Sequence, residues 1–319
     1  MRLTRVLAVF VLAAFALVSV SGASVAATPQ PPSLNALLGD YVPILVLHPA
    51  ESFEPVPVDG YLADSDLEQK DPATGLWQKI DEPLPVGAAG AGLRLDQRLC
   101  NAQDGIAAIP CYADAEAAHA PRPTVYGAAF RRGNRIALQY WLFYPYDAYS
   151  PTVPAGQIWQ VHEGDWESVS VILDKEGTPL WLGLSRHSEG ARRDWATAPK
   201  RGQHPIVYVA LGSHANYFTR GVQLFSPLWV PKQLIQIIRS LGALPADHTA
   251  KGRVFQPLVI HVNATTPKWM AFAGTWGETQ YLHARAGQDP VAFGTGPRGP
   301  AFHEQWRRPI SDVMSWPVR

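Results

Sequence analysis

Neither sign of charge prevails in this chain: its 319 residues carry 27 lysines and arginines against 27 aspartates and glutamates. A nucleic-acid binder needs a concentrated basic surface. Nothing in the composition supplies one, so no nucleic-acid partner is expected. Cysteine is almost missing, with only Cys100 and Cys111, whereas a structural zinc site recruits several cysteines or histidines. The G-x-S-x-G elbow of serine hydrolases is also missing; Gly183 to His187 comes nearest and ends in the wrong residue. Glycines 87, 90 and 92 are not framed by the strand and helix of a dinucleotide fingerprint. The stretch GTGPRGP, Gly294 to Pro300, lacks the lysine and hydroxyl residue of a phosphate loop. No internal repeat is present.

Long apolar runs are confined to the start. MRLTR is followed by VLAVFVLAAFALVSV and SGASVAA, a positive start, an apolar stretch and a small-residue cleavage site. Residues 1–27 are expected to be a signal peptide and the mature protein to be secreted or periplasmic. In an oxidising compartment Cys100 and Cys111 are expected to pair, closing a short loop worth about 2–3 kcal/mol. Residues 28–40 read as a flexible leader and 41–319 as one domain.

The 29 prolines and 26 glycines make turns frequent and long helices few, so short apolar runs read as strands. The runs are Val42–Leu47, Ile136–Tyr144, Ser168–Leu173, Leu180–Ser185, Ile206–Leu211 and Leu258–Val262. Turns separate them instead of regularly alternating helices, which predicts a mainly β fold, an antiparallel β-sandwich with long loops and one or two short helices. One helix is predicted over Pro231–Leu241, with proline at its start and Gly242 past its end. Residues 86–123 read as irregular.

The stretch HEGDWE, His162 to Glu167, runs into the apolar segment SVSVILD. Residues two apart on a strand share a face, so Asp165 and Glu167 are expected side by side with Trp166 opposite. Carboxylates so close repel unless a proton, a basic partner or a cation intervenes. Oxygen-rich ligation with one imidazole suits Ca²⁺ or Mg²⁺ best, with Mn²⁺ also admissible. The residues alone leave a second reading open, a salt network with Arg131, Arg132 or Arg186.

The phrases QYWLFYPYD, HEGDWE and HPIVYVALGSHANYF, with the earlier YVPILVLHPAESFEPVPVDGYL and the later GTWGETQ, GPRGP and EQW, resemble the vacuolar protein sorting-associated protein 62 family. The resemblance spans nearly all of the chain from about Tyr41. A more distant likeness is to the necrosis- and ethylene-inducing protein family, secreted β-sandwich cytolysins with a G-H-R-H-D-W-E signature after an aromatic strand ending in F-P-K-D. That likeness implies a divalent cation held by Asp147, His162, Asp165 and Glu167. Glu163 and Gly164 depart from the signature, standing where the cytolysins have arginine and histidine, and the loop from Ala148 to Val161 is several residues longer.

His187 and His214 sit at expected strand ends, where loops display function; His214, flanked by small residues, is a candidate general base. The expected function is an exported divalent-cation-binding protein taking a surface glycan, lipid headgroup or phosphate-bearing ligand, with possible peripheral membrane contact. The alternative is a metal-dependent hydrolase of ester, phosphoester or glycosidic bonds, with Glu163 or His214 transferring the proton. The family name is no evidence for vacuolar sorting.

Overall fold

Fourteen consecutive positions of one strand, Ile136 to Tyr149, are buried, a pattern that requires cover on both faces of its sheet. The computed structural model, which describes residues 33–81, 92–150, 152–153, 156–157, 160–187, 189–225, 246–282 and 291–319, supplies that cover. Six strands form the central sheet, in the order Glu189–Asp194, Pro179–Arg186, Gln160–Asp174, Arg135–Tyr149, Thr124–Arg132 and Leu258–His261. Ile136, Leu138, Tyr140, Leu142 and Tyr144 enter one core with Leu45, Val207 and Val209. Trp141 and Phe143, which alternate with them, enter a second core with Leu67, Leu95 and Trp276.

The first core is closed by a smaller sheet built on Ile44–Val46 and His204–Val209, the second by one built on Ser65–Lys70 and Leu93–Gln97. The protein is therefore mainly β, with a sheet on each face of the central one. Its pairing is mixed where purely antiparallel pairing was expected. Ile44–Val46 runs parallel to His204–Val209, Leu258–His261 to Thr124–Arg132, and Thr275–Trp276 to Leu93–Gln97. Each of these pairs joins segments far apart in sequence, so no tight hairpin turn forces the antiparallel sense.

Two segments read as irregular carry structure. The stretch read as a flexible leader contains a helix over Leu34–Asp40, capped by the Ser33 side chain and burying Leu37 and Leu38. Within 86–123 lie a strand, Leu93–Gln97, and a helix, Ile109–Ala118, that buries Tyr112. Cys100 and Cys111 form the expected disulfide. The signal peptide and the helix over Pro231–Leu241 lie outside the described residues. No helix among the described residues is long and apolar enough to cross a membrane.

Candidate metal centre

The strands Arg135–Tyr149 and Gln160–Asp174 pair antiparallel along almost their whole length, with Asp147 opposite His162, Tyr144 opposite Asp165 and Leu142 opposite Glu167. That register continues through Tyr149 and Gln160, so the longer intervening loop leaves Asp147 within reach of the motif. Asp147 Oδ1 accepts from the Tyr149 amide at 2.8 Å, and its Oδ2 lies 3.6 Å from His162 Nε2. His162 Nδ1 lies 3.1 Å from the Gly164 carbonyl oxygen. A carbonyl only accepts, so Nδ1 carries the hydrogen and Nε2 is the atom turned on Asp147. This is how a second hydrogen bond orients a ligating imidazole.

Asp165 Oδ2 lies 3.1 Å from His214 Nδ1. The His214 imidazole is fully buried, stacks on the Tyr144 ring at 3.8 Å between centroids, and has Nε2 3.5 Å from Glu51 Oε1. Burial lowers its pKa, but the Glu51 charge and the hydrogen bond to Asp165 overcome that and hold it up at about 10. His214 is thus an imidazolium at neutral pH. Atoms of Asp147, Asp165 and His214 lie within 4.8 Å of one another. Burial, opposed by the His162 charge and aided by that of Asp165, raises the Asp147 carboxyl to about 6.

Glu167, the fourth expected ligand, is buried and accepts from the Ser185 hydroxyl and, at 3.2 Å, from the His187 amide. Burial and then the charge of Asp165 push its pKa well up. Glu163 is turned to other partners: the Tyr112 hydroxyl and the amides of Gln97 and Glu278, both at 3.3 Å. Gly164 separates these two sets of carboxylates at φ +56°, and a Cβ there would lie 2.4 Å from the Trp276 carbonyl oxygen. A side chain at this position would collide with that carbonyl. Trp166 packs against Tyr126, Phe143, Trp269 and Trp276 in the second core.

Among the described residues, Arg131, Arg132 and Arg186 form no ion pair with these carboxylates; Arg186 lies over the Tyr217 ring at 5.6 Å. The positive charge comes instead from His214, and Glu51 is the partner that sequence reasoning missed. His187 is held at 2.8 Å by Asp247, whose other oxygen accepts from Ser213 at 2.7 Å.

One buried atom beside the carboxylates, the Tyr144 hydroxyl, has no hydrogen-bond partner among the described residues. The charges of Glu51, Asp165 and Glu167 act on that hydroxyl after burial itself. Carboxylate oxygens converging beside an orphaned hydroxyl fit a bound cation with its waters. Asp147 and Asp165 would hold it, with His162 Nε2, 3.6 Å from Asp147, as a further donor. Next to this site, a cleft of about 350 Å³ is lined by Glu51, Phe53, Tyr149, Gly212 and His248.

Residues 14–292 match the sequence pattern of the family described as vacuolar protein sorting-associated protein 62. A Saccharomyces cerevisiae protein with the provisional name vacuolar protein sorting-associated protein TDA6 is 28% identical over 210 residues, covering 54% of this chain and 42% of its own. The chain thus spans less than half the length of that curated relative. Among solved structures, NLPPya in complex with glucosamine aligns at a TM-score of 0.41 and 15% identity, covering 89% of this chain and 92% of that one. Necrosis and Ethylene inducing Protein 2 from the causal agent of cocoa's Witches Broom disease aligns at 0.30 and 14%, covering 72% and 76%.

Proposed function

The chain belongs to the vacuolar protein sorting-associated protein 62 family, and from its buried acid–imidazole centre we propose an exported protein that binds a divalent cation, calcium or magnesium first and manganese next. The observation that carries this reading is the pair Asp147 and Asp165, with His162 Nε2 turned on the first and the orphaned Tyr144 hydroxyl beside the second. Bound there, the cation supplies Lewis acidity and open coordination positions for an oxygen-rich ligand. The ligand class is a surface glycan, a lipid headgroup at a membrane surface or another phosphate-bearing molecule, and the cleft bounded by Glu51 and Tyr149 is where it sits.

The chain's own groups set the terms. His214, protonated between Glu51 and Asp165, is a resident positive charge that orients Asp165. Glu167 is fixed by Ser185 and His187 and backs the pair from behind. A metal-dependent hydrolase is less well supported, because Glu163 faces Tyr112 and His214 is engaged by Glu51 and Asp165.

The test is calorimetric titration of chelator-stripped mature protein with calcium, magnesium and manganese, beside Asp165→Asn. A binding event present in the wild type and missing from the variant is expected. Identical isotherms would end the proposal. Glycan arrays and phosphate- or phosphatidylserine-containing vesicles, each with and without chelator, then identify the ligand class.

A further inference from the structure

Asp96, Glu163 and Glu278 bring carboxylate oxygens within 4.8 Å of one another, away from the centre described above. They come from distant parts of the chain: the strand Leu93–Gln97, the strand Gln160–Asp174 and the turn after Thr275–Trp276. Glu163 is 0% exposed and Glu278 8%. Neither forms an ion pair among the described residues, and Arg94 divides itself between Asp96 at 3.0 Å and Glu68 at 2.7 Å. Such a cluster stands only if protons or a cation relieve the repulsion.

The Tyr61 hydroxyl decides between them. Tyr61 is 5% exposed, its hydroxyl has no hydrogen-bond partner among the described residues, and its ring stacks near Trp276. After burial, the groups that raise its pKa are Glu163, Asp96 and Glu278, the three carboxylates of the cluster. An orphaned buried hydroxyl beside carboxylates suits a bound ion with its waters. A cleft of about 340 Å³ opens onto Asp96 and Glu278 and is further lined by Asp66, Glu68, Cys100 and Asn101.

We propose that Asp96, Glu163, Glu278 and the Tyr61 hydroxyl form a second cation site, of calcium type, independent of the Asp147–Asp165 centre. Every donor is oxygen, with no imidazole or thiolate, which suits a hard ion with a flexible shell rather than zinc. The carboxylates keep capacity for it. Glu163 accepts from Tyr112 and two amides, and Glu278 from the Ala102 amide at 2.7 Å and Gln103 at 3.3 Å, while a carboxylate offers about four lone-pair positions. The Ala102 contact lies inside the loop closed by Cys100 and Cys111. The ion therefore fastens that loop to the central sheet.

The experiment is calcium calorimetry on chelator-stripped protein with three variants. Wild type is expected to bind two ions per chain. Asp165→Asn abolishes one event and Asp96→Asn the other, so failure of the first centre is distinguishable from failure of this one. Tyr61→Phe removes only an unpartnered hydroxyl, leaves circular dichroism unchanged and weakens the second event at least threefold. If wild type shows only the event that Asp165→Asn abolishes, or if Asp96→Asn and Tyr61→Phe both bind two ions at wild-type affinity, the second site is refuted. Shared protons then hold the cluster.

Discussion

Two acid clusters meet the same strand at Glu163 and Asp165, and they are neutralised differently. At Asp165 the imidazolium of His214 is built in, stacked on Tyr144 and bracketed by Glu51. At Glu163 the neighbours are amides, the Tyr112 hydroxyl and two further carboxylates. Each cluster also has, among the described residues, a buried tyrosine hydroxyl without a partner, Tyr144 beside the first and Tyr61 near the second. The difference teaches that the first centre holds its positive charge between its own carboxylates, whereas the second has only Arg94 at its edge, shared between Asp96 and Glu68. Residues two apart on a regular strand would share one environment; Gly164, at φ +56°, interrupts that regularity.

The largest effect that sharpens this contrast is expected from Asp165→Ala. It leaves a fully buried imidazolium without its hydrogen-bonded carboxylate, a loss of about 3–5 kcal/mol, read by urea unfolding. Asp96→Ala leaves Arg94 with Glu68 and is expected to cost about 1 kcal/mol or less, as for a partly exposed, screened pair with a remaining partner. Equal losses would break the comparison. Next comes Gly164→Ala, which forces an alanine to positive φ and against the Trp276 carbonyl. A destabilisation of about 2–3 kcal/mol is expected, and an unchanged denaturation midpoint would show that the strand can relax there.

Protons compete with the cation at the first centre. Asp147, raised to about 6, must be ionised to act as a ligand, so apparent affinity is expected to fall about tenfold per pH unit below that value. Calorimetry between pH 4.5 and 7.5 measures the slope. In cation-free protein the sign reverses. A carboxyl with a raised folded pKa contributes stability in full below its ordinary value of 3.8 and loses it as pH rises through about 6. A cation-induced rise in Tm that does not shrink toward acid pH would remove Asp147 from the ligand set. The smallest effects belong to Tyr144→Phe and Tyr61→Phe without cation: each removes an unpaired buried donor, so stability changes by about 1 kcal/mol or less and in the favourable direction. A loss above that for either would mean that its hydroxyl has a partner in solution.

Much of the architecture was legible. The apolar runs marked six strands, and each lies within or overlaps an observed one. The opposition of Trp166 to the Asp165 carboxylate followed from period-two alternation. His214 was visible as a histidine among small residues at a strand end. What was not legible has particular causes. Glu51 sits in HPAESF, where no spacing ties it to a histidine more than 160 residues later. Asp96 and Glu278 lie in separate segments that only pairing between Thr275–Trp276 and Leu93–Gln97 brings together. The helix Ile109–Ala118 escaped notice because IPCYADAEAA lacks an apolar stripe, burying only Tyr112.

The sequence by itself determined the mainly β class, the disulfide partners and the side-by-side placing of Asp165 and Glu167 with Trp166 opposite, because strand alternation is local and periodic. Only the tertiary structure decided which carboxylates meet which positive charge. That choice depends on His214 and Glu51 arriving from segments more than 160 residues apart, and on a positive-φ glycine that sends Glu163 to one cluster and Asp165 to another. Electrostatic partnership acts through space, and local sequence carries no record of the distance.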